Sequence, residues 1–160
     1  MRRVLMLTTA LCLAVWSFAA QAQTTSKLGP SPKQVADEVI AVTKAMWAAG
    51  MKKDVAGSMK NVAEDYTEFN DEYPTRLDGK AINLRLGEGL AQSSGSEIVA
   101  EMTNEKVQVY GDVAILTYNY IGMLKDKDGK TEPARAKSTR VYAKQAGQWM
   151  LVHANFAPAR

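Results

Sequence analysis

The sequence predicts an α+β fold in which helices come first and a curved antiparallel sheet follows, with the helices on one face of the sheet. Two observations lead there. Up to about residue 90, apolar residues recur at intervals of three and four, the spacing of one helix face; beyond it they recur at intervals of two, the spacing of a strand. The period-two segments are joined by the short stretches Tyr110-Gly111-Asp112, Asp126-Lys127-Asp128-Gly129 and Gln145-Ala146-Gly147, and turns this tight join antiparallel neighbours.

Taken in order, Ser31-Pro32-Lys33-Gln34 reads as a helix start. Ser31 is the N-cap, Pro32 occupies the first helical position and Gln34 closes a capping box. Val35, Ala36, Val39, Ile40, Met46 and Trp47 form the apolar stripe of that helix, which ends near Gly50. Asp54 is expected to cap a second helix with Met59, Val62, Ala63 and Tyr66 on one face and Glu64, Asp65 and Glu68 beside them. The helical period fails from Tyr66 to Pro74, an extended segment or loop. A third, shorter helix opens at Asp78-Gly79, carries Ile82, Leu86 and Leu90, and ends by Ser93 to Ser96. The strands are expected at Ile98 to Tyr110, Val113 to Leu124, Ala134 to Lys144 and Gln148 to Phe156.

The first 22 residues are read as a leader. Met1-Arg2-Arg3 is basic, Val4 to Ala20 is largely apolar, and Ala20-Gln21-Ala22 is a small-x-small cleavage site, which together describe a cleavable secretory signal. The expected product is periplasmic or secreted and has no membrane span once the signal is removed. Residues 23–30 form a polar lead-in, and 31–160 are long enough for one domain and too short for two. Cys12, the single cysteine, falls within the leader, so disulfides and cysteine nucleophiles are excluded from the processed chain. With one histidine and no thiol, no transition-metal site is expected. Removing Arg2 and Arg3 leaves 18 basic residues against 17 acidic ones, which argues against nucleic acid as a partner.

Two stretches carry a family likeness. Val107-Gln108-Val109-Tyr110-Gly111-Asp112-Val113-Ala114-Ile115-Leu116-Thr117 has the form of a "v-x-v-x-gdvAvvt" hairpin. Ser138-Thr139-Arg140-Val141-Tyr142-Ala143-Lys144, with Gly147-Gln148-Trp149-Met150-Leu151-Val152-His153 after it, has that of an "f-T-r-v-w-x-k … G-x-W-x-i-v-h" pair of closing strands. Together they resemble the SnoaL-like branch of the nuclear transport factor 2-like superfamily, which includes ketosteroid isomerase, scytalone dehydratase and the association domain of calcium/calmodulin-dependent kinase II. The resemblance implies a cone, with the sheet wrapped around the first helix and a pocket at the open end, and a homodimer formed through the outer face of the sheet. The same shell serves enzymes and non-catalytic modules, so the fold alone names no activity. The chain departs from its relatives at Asn155, where many carry a second histidine. The base aspartate of the isomerases would fall near Asn70 or, with a one-residue gap, at Asp71.

Strict alternation on the last strand puts Trp149, Leu151, His153 and Asn155 on one face and Met150, Val152, Ala154 and Phe156 on the other. Relatives carry a polar residue at the place of Met150, which implies that His153 and Asn155 point inward. The same reasoning sends Thr139 and Val141 inward and Arg140, Tyr142 and Lys144 outward. The expected pocket is therefore lined by Trp47, Tyr66, Phe69, Asn70, Tyr118, Thr139 and Asn155, and the expected dimer face contains Arg140, Tyr142, Met150 and Val152. His153, Asp65 and Asp71 are the candidate proton-transfer groups, acting without metal or organic cofactor. The plain alternatives are a His153 ring satisfied against Trp47 and acids that only solvate a helix end. At the level of function, the chain reads as an exported domain holding a small apolar or aromatic molecule, with isomerase or lyase chemistry as an option. The other reading is a non-catalytic dimerisation or interaction module.

Overall fold

A computed structural model describes residues 29–93 and 95–159; the expected leader and the lead-in up to residue 28 lie outside the described residues. The first helix, α1 (Pro32–Met51), begins as the sequence predicts. The Gln34 amide donates to the Ser31 hydroxyl at 3.2 Å, and the Ser31 amide donates to the Gln34 side chain at 2.7 Å, so two amides left over at the helix start are both satisfied. Val35, Val39, Thr43 and Met46 bury one face of α1 against the sheet.

After α1 the chain departs from expectation. The second helix is one short turn, α2 (Val55–Ser58), capped by the Asp54 carboxylate, which accepts from the Gly57 amide at 2.8 Å. Val62–Asn70 is a strand, β1. The spacing of Met59, Val62, Ala63 and Tyr66 mimics a helix because β1 is irregular between Val62 and Thr67. Val62 and Ala63 are both buried there, and strict alternation is lost. A two-residue strand, β2 (Leu77–Asp78), leads into α3 (Lys80–Ser93). Ile82 and Leu90 of α3 are exposed. The close contact is made at Gly87, where a Cβ would meet a Val55 methyl at 2.9 Å.

The four long strands are β3 (Ser96–Tyr110), β4 (Val113–Lys125), β5 (Thr131–Gln145) and β6 (Gln148–Pro158). They form an antiparallel meander, and the sheet order is β2-β1-β6-β5-β4-β3. β1 joins β6 in parallel. The turn from β5 to β6 has positive φ at both Ala146 (48°) and Gly147 (81°), the backbone that a two-residue hairpin turn requires.

The concave face of this sheet wraps α1. Ala114, Leu116 and Tyr118 of β4, Tyr142 of β5 and Trp149, Leu151 and Ala154 of β6 supply its buried surface. Leu116 and Leu151 are essentially fully buried, and side chains of that kind each contribute about 1.5–3 kcal/mol. The tie between layers is polar as well as apolar: the hydroxyls of Thr43 and Tyr142 meet at 2.8 Å in the core, and Thr43 also donates to the Val39 carbonyl at 2.9 Å.

One bulge resets the last strand. Tyr142 pairs with Leu151, whereas Val141 pairs with His153, so Val152 is an extra residue. Trp149 and Leu151 point inward as expected, but beyond the bulge Ala154 and Phe156 take the inner positions. His153 and Asn155 are thereby turned to the convex face. The expected inward placing of His153 and Asn155, with Thr139 and Val141, is corrected accordingly. Arg140 and Tyr142 are likewise not on an outer dimer face, because both are buried inside, Arg140 at 8% and Tyr142 at 0% exposure. Met150 does sit on the outside, half-buried beside Ala143. Among the described residues, no helix is long and apolar enough to cross a membrane.

Candidate functional site

A cavity of about 220 Å³ opens between the C-terminal half of α1, the α2 turn and the concave face of the sheet. Met46, Trp47, Met59, Leu151 and Phe156 give it an apolar lining; Tyr66, Glu68 and Arg140 supply its polar groups. β1 delivers two of these because residues two apart on a strand share a face. The Tyr66 hydroxyl donates to Glu68 at 2.7 Å, and the Asn70 amide donates to the other oxygen of the same carboxylate at 3.1 Å.

Arg140 is the unusual member. Its Nε donates to the Tyr118 hydroxyl at 2.9 Å, and its guanidinium lies 5.2 Å from the centre of the Phe156 ring. Among the described residues, no carboxylate lies within 4 Å of it. Burial is the largest influence on the group and works to lower its pKa. The hydroxyls of Tyr118, Tyr142 and Tyr66 around it outweigh that influence, so the guanidinium is held above its ordinary range and stays charged. A buried charge is tolerated only where such groups replace its lost hydration.

The tyrosines respond in kind. Burial, followed by the neighbouring Glu68 charge and the bond to it, pushes Tyr66 well above the usual phenol range, so its hydroxyl remains a donor. Burial also raises Tyr142, against the opposing pull of Arg140. Glu97, on β3, is hydrogen-bonded by the Tyr120 hydroxyl. Its pKa is pushed up by burial and partly restored by Arg140. Gly122 makes room for that tyrosine, since a Cβ there would collide with the Tyr120 ring and hydroxyl. Trp47 stands edge-on to both Tyr118 (5.5 Å) and Tyr120 (5.6 Å).

Of the residues expected to line the pocket, Trp47 and Tyr66 do so, while Tyr118 and Asn70 stand one step behind, holding Arg140 and Glu68. Phe69 does not: it is 49% exposed on the convex face, edge-on to His153. Thr139 and Asn155 pair with each other on that same face. His153 bonds through Nδ1 to the Thr67 hydroxyl at 2.8 Å, away from the cavity and from Trp47. Asp65 is exposed on β1, and Asp71 is exposed in the turn after it. Neither acid lines the cavity. Sequence reasoning missed the inward Arg140, and it held Glu68 only as one of several acids at a helix end, not as a cavity residue. The available signal for Glu68 was its two-residue spacing from Tyr66, which a helical reading of that segment concealed.

The profile of the calcium/calmodulin dependent protein kinase II association domain matches residues 35–159 of this chain. The chain belongs to that family. A search of curated proteins found no match to this chain. Among solved structures, the association domain of C. elegans CaMKII is 21% identical with a TM-score of 0.68, the match covering 81% of this chain and 99% of that one. A nuclear transport factor 2-like superfamily protein from Salmonella enterica is 17% identical with a TM-score of 0.70, covering 81% and 95%. A provisionally assigned dehydratase of the same fold family from Streptomyces avermitilis is 16% identical, also with a TM-score of 0.70, covering 81% and 99%. At these identities the likeness is one of fold, and it is the nuclear transport factor 2-like fold that the closing strands resembled.

Proposed function

We propose that this association domain is exported and binds a small organic anion, such as a carboxylate with an apolar body, in its cone. The observation that carries the reading is Arg140: a buried, charged guanidinium lining an apolar cavity, with no carboxylate within 4 Å among the described residues. The carboxylate already in the cavity, Glu68, is compensated by donors from Tyr66 and Asn70. A bidentate anion would give Arg140 the directly bonded carboxylate that it lacks among the described residues, while Met46, Met59 and Phe156 receive the body of the molecule. Export rests on the basic-then-apolar leader and its small-x-small site. Calorimetric titration with butanoate tests the reading. Arg140→Met should weaken binding at least about thirtyfold, the loss typical of truncating one partner of a buried charge pair. Equal affinity in the two proteins would end this reading.

A second reading, self-association through the convex face, is favoured by one observation. Ile115, Val141, Ala143 and Met150 are only half-covered there, and they form a contiguous apolar surface across β4, β5 and β6. Sedimentation should find oligomers that Val141→Asp converts to monomers while butanoate binding persists. A wild-type protein that sediments as a monomer at high micromolar concentration would dismiss the second reading and leave the first intact.

A further inference from the structure

One side chain is shared by the Arg140 cavity and a neighbouring space. Trp47 forms part of the cavity wall, and it also lines a larger space of about 410 Å³ between α1 and β3, where Met51 and Met102 stand beside the exposed Lys44 and Glu101. Of the residues around either space, Trp47 alone belongs to both. Its indole is half-buried and is held upright by edge contacts to Tyr118 and Tyr120. The hydroxyls of those rings are themselves taken, one by Arg140 and the other by Glu97. An indole packed edge-on against two rings that cannot easily swing is itself held in place.

We infer that Trp47 is the specificity-determining residue of this site, setting the length of the acid the cone accepts; the inference rests on the Arg140 reading above. With the head group at Arg140, the body of the ligand meets Met46, Met59 and Phe156 and stops at the indole. Without the indole, the two spaces join and a hydrocarbon chain can run on past Met51 and Met102, whose flexible thioethers adapt to such a chain. Each further methylene taken out of water then tightens binding about fourfold.

The test is calorimetric titration of the full chain with butanoate, octanoate and dodecanoate, comparing wild type, Trp47→Ala and Trp47→Phe. The wild type and Trp47→Phe should bind butanoate and gain nothing from the longer chains. Trp47→Ala should gain with chain length, by about fourfold per methylene until the joined space is filled. Trp47→Leu replaces the alanine variant if thermal melting shows that the latter does not fold. A truncated variant that keeps the wild-type order of affinities, even with all of them changed by a common factor, overturns the partition while leaving the Arg140 reading standing. Binding that Arg140→Met does not alter, or a wild type that takes none of the three acids, overturns the head-group reading and the partition with it.

Discussion

The two faces of one sheet differ in a way that side-chain polarity alone would invert. The concave face, which wraps α1, carries the Arg140 guanidinium, the carboxylates of Glu68 and, at its rim, Glu97, and the hydroxyls of Tyr66, Tyr118, Tyr120 and Tyr142. The convex face carries Ile115, Val141, Met150 and the lone histidine. Arg140 and Val141 are sequence neighbours on β5, yet the charged residue is inside and the apolar one faces outward. The difference is one of company. Arg140 is enclosed by Tyr118, Tyr142, Tyr66 and the Phe156 ring, which together keep it charged out of water. His153 has one hydroxyl partner and one aromatic edge, and it lies where solvent or another copy of the chain can reach it. A buried charge is therefore what sets the concave face apart from the convex one.

Adjacent residues of β6 provide the strongest way to break this comparison. Leu151 on the concave side is fully buried, whereas Met150 on the convex side is half-covered. Leu151→Ala should cost about 2–5 kcal/mol in urea denaturation. Met150→Ala in the monomer should cost well under half of that. Similar losses at the two positions would mean that the faces are not distinct as cores.

A smaller effect is expected at Glu97, which sharpens the same comparison from the rim of the concave face. Its carboxyl is raised in the folded protein, chiefly by burial. A group raised on folding adds stability below its unfolded pKa, and that stability is lost as pH rises through the folded value. The ionised form thus opposes folding at neutral pH. Glu97→Gln should raise Tm at pH 7, and the gain should shrink to nothing as pH falls below the ordinary glutamate range near 4.3. A gain that persists unchanged at pH 3 would assign it to packing and not to the charge.

How far the site was legible varies residue by residue. Trp47 and Tyr66 were readable as wall residues, the first from the helical stripe and the second because it is apolar-facing in either a helix or a strand. Asp65 and Asp71 fit a site only if Val62–Asn70 is a helix followed by a loop; as a strand, that segment presents Tyr66, Glu68 and Asn70 together and leaves both aspartates in solvent. Strict alternation turns His153 and Asn155 inward, and a single extra residue at Val152 reverses that alternation for everything beyond it.

The sequence by itself determined the capped start of α1, the four long closing strands, the tight turns between them and the family, because these are set by local periodicity, capping chemistry and short contiguous motifs. Only the tertiary structure decided which residues face the cavity. Facing depends on strand pairing and on a bulge, and a buried arginine becomes acceptable only when tyrosines from β1, β4 and β5, far apart in the chain, converge on it.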